Sequence, residues 1–110
     1  MAIEWTQLEF LLNSYYTLAV VCDEALTGKT LGFVVRREPE DSAEAYAVTE
    51  NITLATTTIA DDTALIPITS ATNSLEEGVY HGAVWRLDTG EQRPIAYGPL
   101  LAKRAASPPA

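Results

Sequence analysis

The sequence predicts an all-β (mainly β) domain, folded as an antiparallel β-sandwich of about seven strands with one short helical turn. Apolar residues recur at every second position along most of the chain, which is the period of a strand with one buried face. Residues with branched Cβ atoms cluster in the middle of the chain and favour strand over helix. The 110 residues, of which 47% are hydrophobic, suffice for one core, so residues 1–104 are predicted as a single domain.

Two strands are predicted in the first half of the chain. Residues 16–22 and 31–37 alternate between apolar and other side chains, and the sequence around Gly28 favours a turn between them. One face of the first strand carries Tyr16, Leu18, Val20 and Cys22, and one side of the second carries Leu31, Phe33 and Val35. Pro39 and its acidic neighbours end the second strand because proline cannot donate to a ladder. Residues 41–46 are compatible with a helical turn.

The middle of the chain predicts further strands and one helical connection. Residues 52–59 are rich in threonine, which favours a strand, and residues 64–68 alternate in the next one. Residues 70–78 predict a short helical connection that Ser70 caps and Gly78 closes.

The clearest element is a hairpin near the end of the sequence. Residues 79–87 and 93–102 form two strands joined across residues 88–91, a loop of common hairpin length that contains a glycine. Pro94 and Pro99 predict that the second strand lies at a sheet edge or carries a bulge.

The composition excludes several classes of partner. Fifteen acidic against seven basic side chains give a net charge of −8, and such a surface repels phosphate backbones. We therefore expect no nucleic acid as a partner. No apolar stretch is long enough for a membrane-spanning helix, and the first residues lack the pattern of a signal peptide. No membrane partner is expected either.

The candidate catalytic features have structural explanations. Asp88-Thr89-Gly90 matches the Asp-Thr-Gly of homodimeric aspartic proteases, but too little chain follows it, and a polar hairpin turn accounts for it. His81 is the single histidine and cannot by itself form a triad or a metal site. Cys22 lies in an apolar run and is predicted as a buried thiol. The sequence therefore predicts no enzyme, no cofactor and no metal site.

The first strand of the hairpin lacks a polar face. One face carries Tyr80, Gly82 and Val84, and the other carries Val79, His81, Ala83, Trp85 and Leu87. A strand that faces water on one side should be polar there. Either both faces are covered inside the domain, or Trp85 and Leu87 lie in a contact with another chain, where tryptophan is favoured.

Several short motifs occur in an order that resembles a group of small bacteriophage structural proteins. They are Ile3-Glu4-Trp5-Thr6-Gln7, Leu31-Gly32-Phe33-Val34-Val35-Arg36-Arg37, Leu75-Glu76-Glu77-Gly78-Val79-Tyr80, Asp88-Thr89-Gly90 and Gly98-Pro99-Leu100-Leu101. The group consists of Ig-like β-sandwich modules of phage tails and baseplates, akin to the N-terminal domain of baseplate upper proteins. It has Gly-Asp after Trp-Thr-Gln, where this chain has Leu8-Glu9. The resemblance implies an Ig-like sandwich that joins virion proteins and has no catalytic residues.

We therefore expect a non-enzymatic structural or adaptor protein of the phage tail, baseplate, neck or head, acting through protein–protein contacts. Its expected partners are other virion proteins and further copies of itself, in a virion assembled in the bacterial host cytoplasm. The residues expected at its interfaces are Val79, His81, Trp85, Leu87, Lys103 and Arg104. The last two precede residues 105–110, which are predicted as an extended or flexible C-terminal arm that becomes ordered on binding.

Two other functions stay open at this point. A carbohydrate-binding module would use exposed aromatic rings, for which the candidates are Trp5, Tyr15, Tyr46 and Trp85. An acid hydrolase would use Asp88.

Overall fold

The computed structural model describes residues 3–12, 15–22, 26, 28–50, 52–54, 63–69, 72, 75–88, 90 and 92–104. Within these residues the chain forms nine strands in two sheets. The strands are β1 Ile3–Glu4, β2 Leu8–Leu11, β3 Tyr16–Val21, β4 Leu31–Arg36, β5 Tyr46–Val48, β6 Thr53–Leu54, β7 Thr63–Ile68, β8 Gly78–Arg86 and β9 Arg93–Lys103. No α-helix occurs among the described residues, and none of them forms a helix able to cross a membrane.

The two sheets face each other across one core. The larger sheet has the order β1-β9-β8-β4-β5, with β2 also paired to β9, and the smaller sheet has the order β3-β7-β6. The predicted all-β, Ig-like sandwich is confirmed, with one difference in the pairing. β1 and β2 both run parallel to β9, whereas the other pairs are antiparallel. The two short N-terminal strands also account for a strand count above the expected seven.

The core includes most of the residues that the period-two pattern groups on one face of β3 and β4. Leu18, Val20 and Cys22 are buried on β3 and just after it, and Phe33 and Val35 are buried on β4. Tyr16, the first position of that pattern, is half-buried, and its hydroxyl accepts the N–H of Leu11 at 3.1 Å. The further buried residues are Phe10, Leu12, Leu26, Leu31, Ala64, Ile66, Ile68, Thr72, Tyr80, Val84, Ile95, Ala96, Leu100 and Ala102.

The helical turn considered for residues 41–46 does not form. The chain turns between Glu38 and Asp41, whose N–H donates to the Glu38 carbonyl at 3.1 Å, and Tyr46 then begins β5. Tyr46 is drawn into a strand because its ring packs against Phe10, with centroids 5.9 Å apart, and its hydroxyl accepts the N–H of Thr69 at 3.2 Å. The hydrogen bond links β5 to the end of β7 in the other sheet, which a surface helical turn would not allow.

Three other expectations fall wholly or partly outside the described residues. Only Thr53 and Leu54 of the threonine-rich strand are described as strand, and Ser70 is not described. In the connection after β7, the N–H of Leu75 donates to the Thr72 carbonyl at 3.0 Å, which is a single turn. The C-terminal arm, residues 105–110, also lies outside the described residues.

β9 is an interior strand, although its prolines allowed an edge position. It pairs with β8 on one side and with β1 and β2 on the other. The alternative expectation, a bulge, is confirmed, because the register shifts where Val84 pairs with Ala96 and Trp85 pairs with Pro94. Pro99 lies where the N-terminal segment leaves the ladder between β1 and β2, so its missing N–H is more easily tolerated there.

Trp5 spans the gap between β1 and β2. Three residues of the N-terminal segment oppose only Gly98 and Pro99 of β9. The backbone N–H of Trp5 donates to the Tyr97 carbonyl at 2.9 Å, and its indole N–H donates to the Pro99 carbonyl at 2.7 Å. A Cβ atom at Gly98 would lie 2.5 Å from Cδ1 of Trp5 and 2.6 Å from its carbonyl oxygen. The N-terminal segment can therefore lie along β9 only because Gly98 has no side chain.

We expect Gly98→Ala to lower the free energy of unfolding by about 3 kcal/mol, since part of the collision is with backbone that rotamer changes cannot move. Gly90→Ala is the matched control: Gly90 has a φ of +83° but no atom within 4 Å of an added Cβ, so it should lose only about 1 kcal/mol. Urea denaturation measures both. An equal or smaller loss for Gly98→Ala would contradict the role given to this glycine.

Candidate functional site

The outer face of the larger sheet is apolar along β8. Tyr80, Gly82 and Val84 are buried, and the residues that alternate with them are only partly buried or exposed. Trp85 therefore belongs to the face that points away from the core, where it is half-buried. The sequence left two explanations for this apolar face: cover by the same domain or contact with another chain. Among the described residues, no further layer of the domain covers it.

A groove crosses this face. It has a volume of about 710 Å³ and is lined by residues of β1, β4, β8 and β9 and by Pro39. Val34, Ala83 and Tyr97 lie side by side on neighbouring strands and form its apolar floor. We call this feature the outer-face groove.

The rim of the outer-face groove combines aromatic and charged groups. Trp85 and Pro94, which are paired across β8 and β9, border one end. Arg36 and His81, paired across β4 and β8, border the other end. Glu4 on β1 adds a carboxylate beside Tyr97. This arrangement offers apolar area with a few hydrogen-bonding groups, which is typical of a binding surface.

Arg36 is held at the rim by the loop that follows β4. Its guanidinium donates to the Ser42 carbonyl at 3.1 Å, so it bridges from the sheet to the loop that contains Pro39. The floor therefore rests on paired strands, and the end of the rim with Arg36 rests on one tethered loop. Such a surface needs little ordering when it binds a partner.

The other residues expected at an interface lie outside the groove. Val79 is exposed on the same face of β8, beyond the groove. Leu87 packs over Gly32, where an added Cβ would lie 2.7 Å from Cδ1 of Leu87, and its N–H donates to the Thr30 carbonyl at 2.8 Å. The Leu87 side chain thus packs on the outer face of the larger sheet of the same chain.

Lys103 and Arg104 make contacts within the chain. The Lys103 ammonium lies 3.0 Å from the Glu9 carboxylate, and the Arg104 guanidinium donates to the Leu75 carbonyl at 2.7 Å. Both pairs are exposed, and exposed pairs contribute little to stability. They join the end of β9 to β2 and to the turn before β8.

The groove residues that the sequence did not assign to an interface include Val34, Arg36, Pro39 and Tyr97. The signal was available for two of them. Val34 and Tyr97 are apolar or aromatic residues at outward positions of β4 and β9. A strand that faces water should be polar at such positions, so the pattern that marked β8 also marks these two residues. Arg36 and Pro39 depend on how the loop after β4 folds back.

The structure places two residues that were considered as possible catalytic or metal-binding groups, Cys22 and His81. Cys22 is buried, as predicted, with Sγ 3.7 Å from the Val20 carbonyl oxygen. His81 lines the outer-face groove. Among the residues described, no group of three or more His, Cys, Asp or Glu side chains is placed to hold a metal ion.

The carboxylate of Asp88 holds the start of the hairpin loop through two hydrogen bonds. It accepts the backbone N–H of Thr30 at 2.6 Å and the Arg86 Nε–H at 2.6 Å. These hydrogen bonds, the backbone one first, hold the pKa of Asp88 below its ordinary value. Gly90, with a φ of +83°, follows in the turn. The predicted polar hairpin turn is consistent with both observations, and Thr89 and Glu91 lie outside the described residues.

The aromatic residues considered for sugar binding are placed differently from one another. Trp5 is half-buried against Gly98, and Tyr46 packs on Phe10. Tyr15 is 78% exposed, next to β3. Only Trp85 of this set lines the outer-face groove, where Tyr97 joins it.

No protein-family model and no curated protein sequence matches this chain. Among solved structures, the chain is similar to the NK cell receptor Nkp44, described as a triggering partner in natural cytotoxicity. The TM-score is 0.41 and the identity is 11%, over 94% of this chain and 99% of the receptor chain.

We expect Asp88→Asn to destabilise the protein at neutral pH, because the Thr30 N–H and the Arg86 guanidinium lose a charged acceptor. A carboxyl whose pKa is lowered by folding stabilises the folded state above its unfolded pKa, and that contribution is lost as the pH falls through the folded value. The difference between wild type and variant should therefore shrink below pH 3.8, the ordinary Asp value. Urea denaturation at a series of pH values measures this, with Glu77→Gln as an exposed control. A difference independent of pH would contradict it.

Proposed function

We propose that this chain is a non-enzymatic structural or adaptor protein of a bacteriophage virion, and that it binds another virion protein through the outer-face groove. The observation that carries the binding role is the groove itself, where the floor of Val34, Ala83 and Tyr97 is bordered by Trp85. The virion role is supported by the order of motifs that this chain shares with small phage structural proteins.

The composition of the groove suits a protein partner. Trp85 is half-buried and Tyr97 is 41% exposed, so both rings keep apolar area that a partner can cover. Aromatic side chains of this kind carry much of the binding energy in protein interfaces because they lose little conformational freedom on burial. The partner surface should therefore place an apolar group on the floor near Ala83.

The polar and charged groups of the groove set an orientation for that partner. Arg36 and His81 lie at one end, and Glu4 lies beside Tyr97. An acidic or carbonyl-rich segment of the partner fits the end with Arg36 and His81. Opposite charges placed this way favour one register of binding over others.

A carbohydrate-binding module is the second candidate. Trp85 and Tyr97 supply two rings in one groove, with hydrogen-bonding groups on Arg36, His81 and Glu4 nearby. Glycan binding would require these rings, whereas protein binding requires the whole apolar floor. The two functions are therefore separable by substitution.

We expect Ala83→Arg to weaken binding to the partner by about 30-fold or more, which corresponds to the roughly 2 kcal/mol of an interface hot spot. The arginine side chain fills the floor of the groove. Val79→Arg is the matched control, because Val79 is on the same face of β8 but outside the groove and should bind as wild type does.

The measurement uses the proteins encoded by genes adjacent to that of this chain, co-expressed with it and titrated by biolayer interferometry. Equal binding by both variants, or equal loss in both, would contradict the groove as the binding site. A glycan array supplies the other outcome: glycan retention that Trp85→Ala abolishes, without binding to any neighbouring protein, would establish the carbohydrate module instead.

A further inference from the structure

In the part of the chain that the structure describes, the smaller sheet ends in β3, whose outer edge is unpaired. β3 pairs with β7 along six residues, and no other strand among the described residues pairs with it. Every second residue of such an edge directs its backbone N–H and C=O groups away from the sheet. The edge is therefore a template for a further strand.

The other edges differ from β3 in length or charge. β1 and β2 contain Glu4 and Glu9, β5 has three residues, and β6 has two among the residues described. Natural sheets protect their edges with charges, prolines or short strands, because an unprotected edge pairs with other chains. β3 has none of these protections, since its sequence Tyr-Thr-Leu-Ala-Val-Val contains no charged residue and no proline.

The exposed face of β3 is also suited to close approach. Its outward residues are Thr17, Ala19 and Val21, all of which are exposed, and Val21 has 54% of its surface accessible. They are small or branched at Cβ, and such residues form favourable cross-strand pairs.

We propose that β3 pairs antiparallel with β3 of a second copy of this chain, about a two-fold axis that brings Ala19 opposite Ala19. In this register Leu18 faces Val20 and Thr17 faces Val21, so inward residues meet inward residues and the two smaller sheets become one. A shift by one residue would place inward residues opposite outward ones and is excluded by the period of the strand.

The charge of the chain favours a second copy at this edge over the other edges. A net charge of −8 makes two copies repel each other over most of their surface. Self-pairing through β1 or β2 would bring Glu4 and Glu9 into the contact, whereas self-pairing through β3 brings no charged side chain from either strand. The contact lies on the sheet opposite the outer-face groove and does not depend on what the groove binds.

Sedimentation equilibrium from 1 to 100 µM tests this proposal with two alanine variants. Wild type should dimerise, and Ala19→Lys should dimerise at least tenfold more weakly, because it places two like charges opposite each other. Ala47→Lys is the matched control, since Ala47 is an exposed alanine on the edge strand β5 and should leave the dimer unchanged.

A charge-reversal mixture separates loss of pairing from loss of folding. Ala19→Glu should dimerise more weakly than wild type, and an equal mixture of Ala19→Lys and Ala19→Glu should restore a dimer, because opposite charges then meet across the axis. Wild type that stays monomeric at 100 µM would overturn the proposal. So would a dimer that Ala19→Lys leaves intact, or a mixture that does not recover.

Discussion

The contact of Trp5 with Gly98 and Pro99 determines how the larger sheet is built. The indole N–H and the backbone N–H of Trp5 both donate to β9, and Gly98 leaves the space that the indole occupies. This contact joins β1 and β2 to the same side of β9. As a result, β9 has a strand on each side, and Glu4 is brought beside Tyr97 to form one side of the outer-face groove.

The period-two pattern predicted the core but not every pairing of strands. Inward positions such as Phe33 and Ile66 follow from alternation alone, because burial of one face is a property of each strand by itself. The parallel pairing of β1 and β2 with β9 joins residues more than 90 positions apart, in segments of two and four residues. Segments that short contain too few residues to show a hydrophobic period. The sequence around Gly98 also does not indicate which side chain packs against that glycine.

Only part of the candidate site was predicted, because the rest of it also depends on how distant strands pair. The missing polar face of β8 pointed to His81 and Trp85, and both line the groove. Val34 and Tyr97 join them only because the register of β4 and β9 with β8 places them beside Ala83, and register is a relation between distant strands. Leu87 also lies at an outward position after Trp85, but its side chain packs into the space that Gly32 leaves on the sheet.

The two proposed surfaces would work together because of the geometry of the sandwich. A two-fold axis through paired β3 strands runs perpendicular to the joined smaller sheet, since like faces stay on the same side. Both larger sheets then lie on that one side, and both outer-face grooves open in the same direction along the axis. A partner with repeated binding segments would engage two grooves at once, which raises the effective concentration for the second contact without any new interaction. The proposed dimer would therefore hold a partner with repeated segments more tightly than one groove alone.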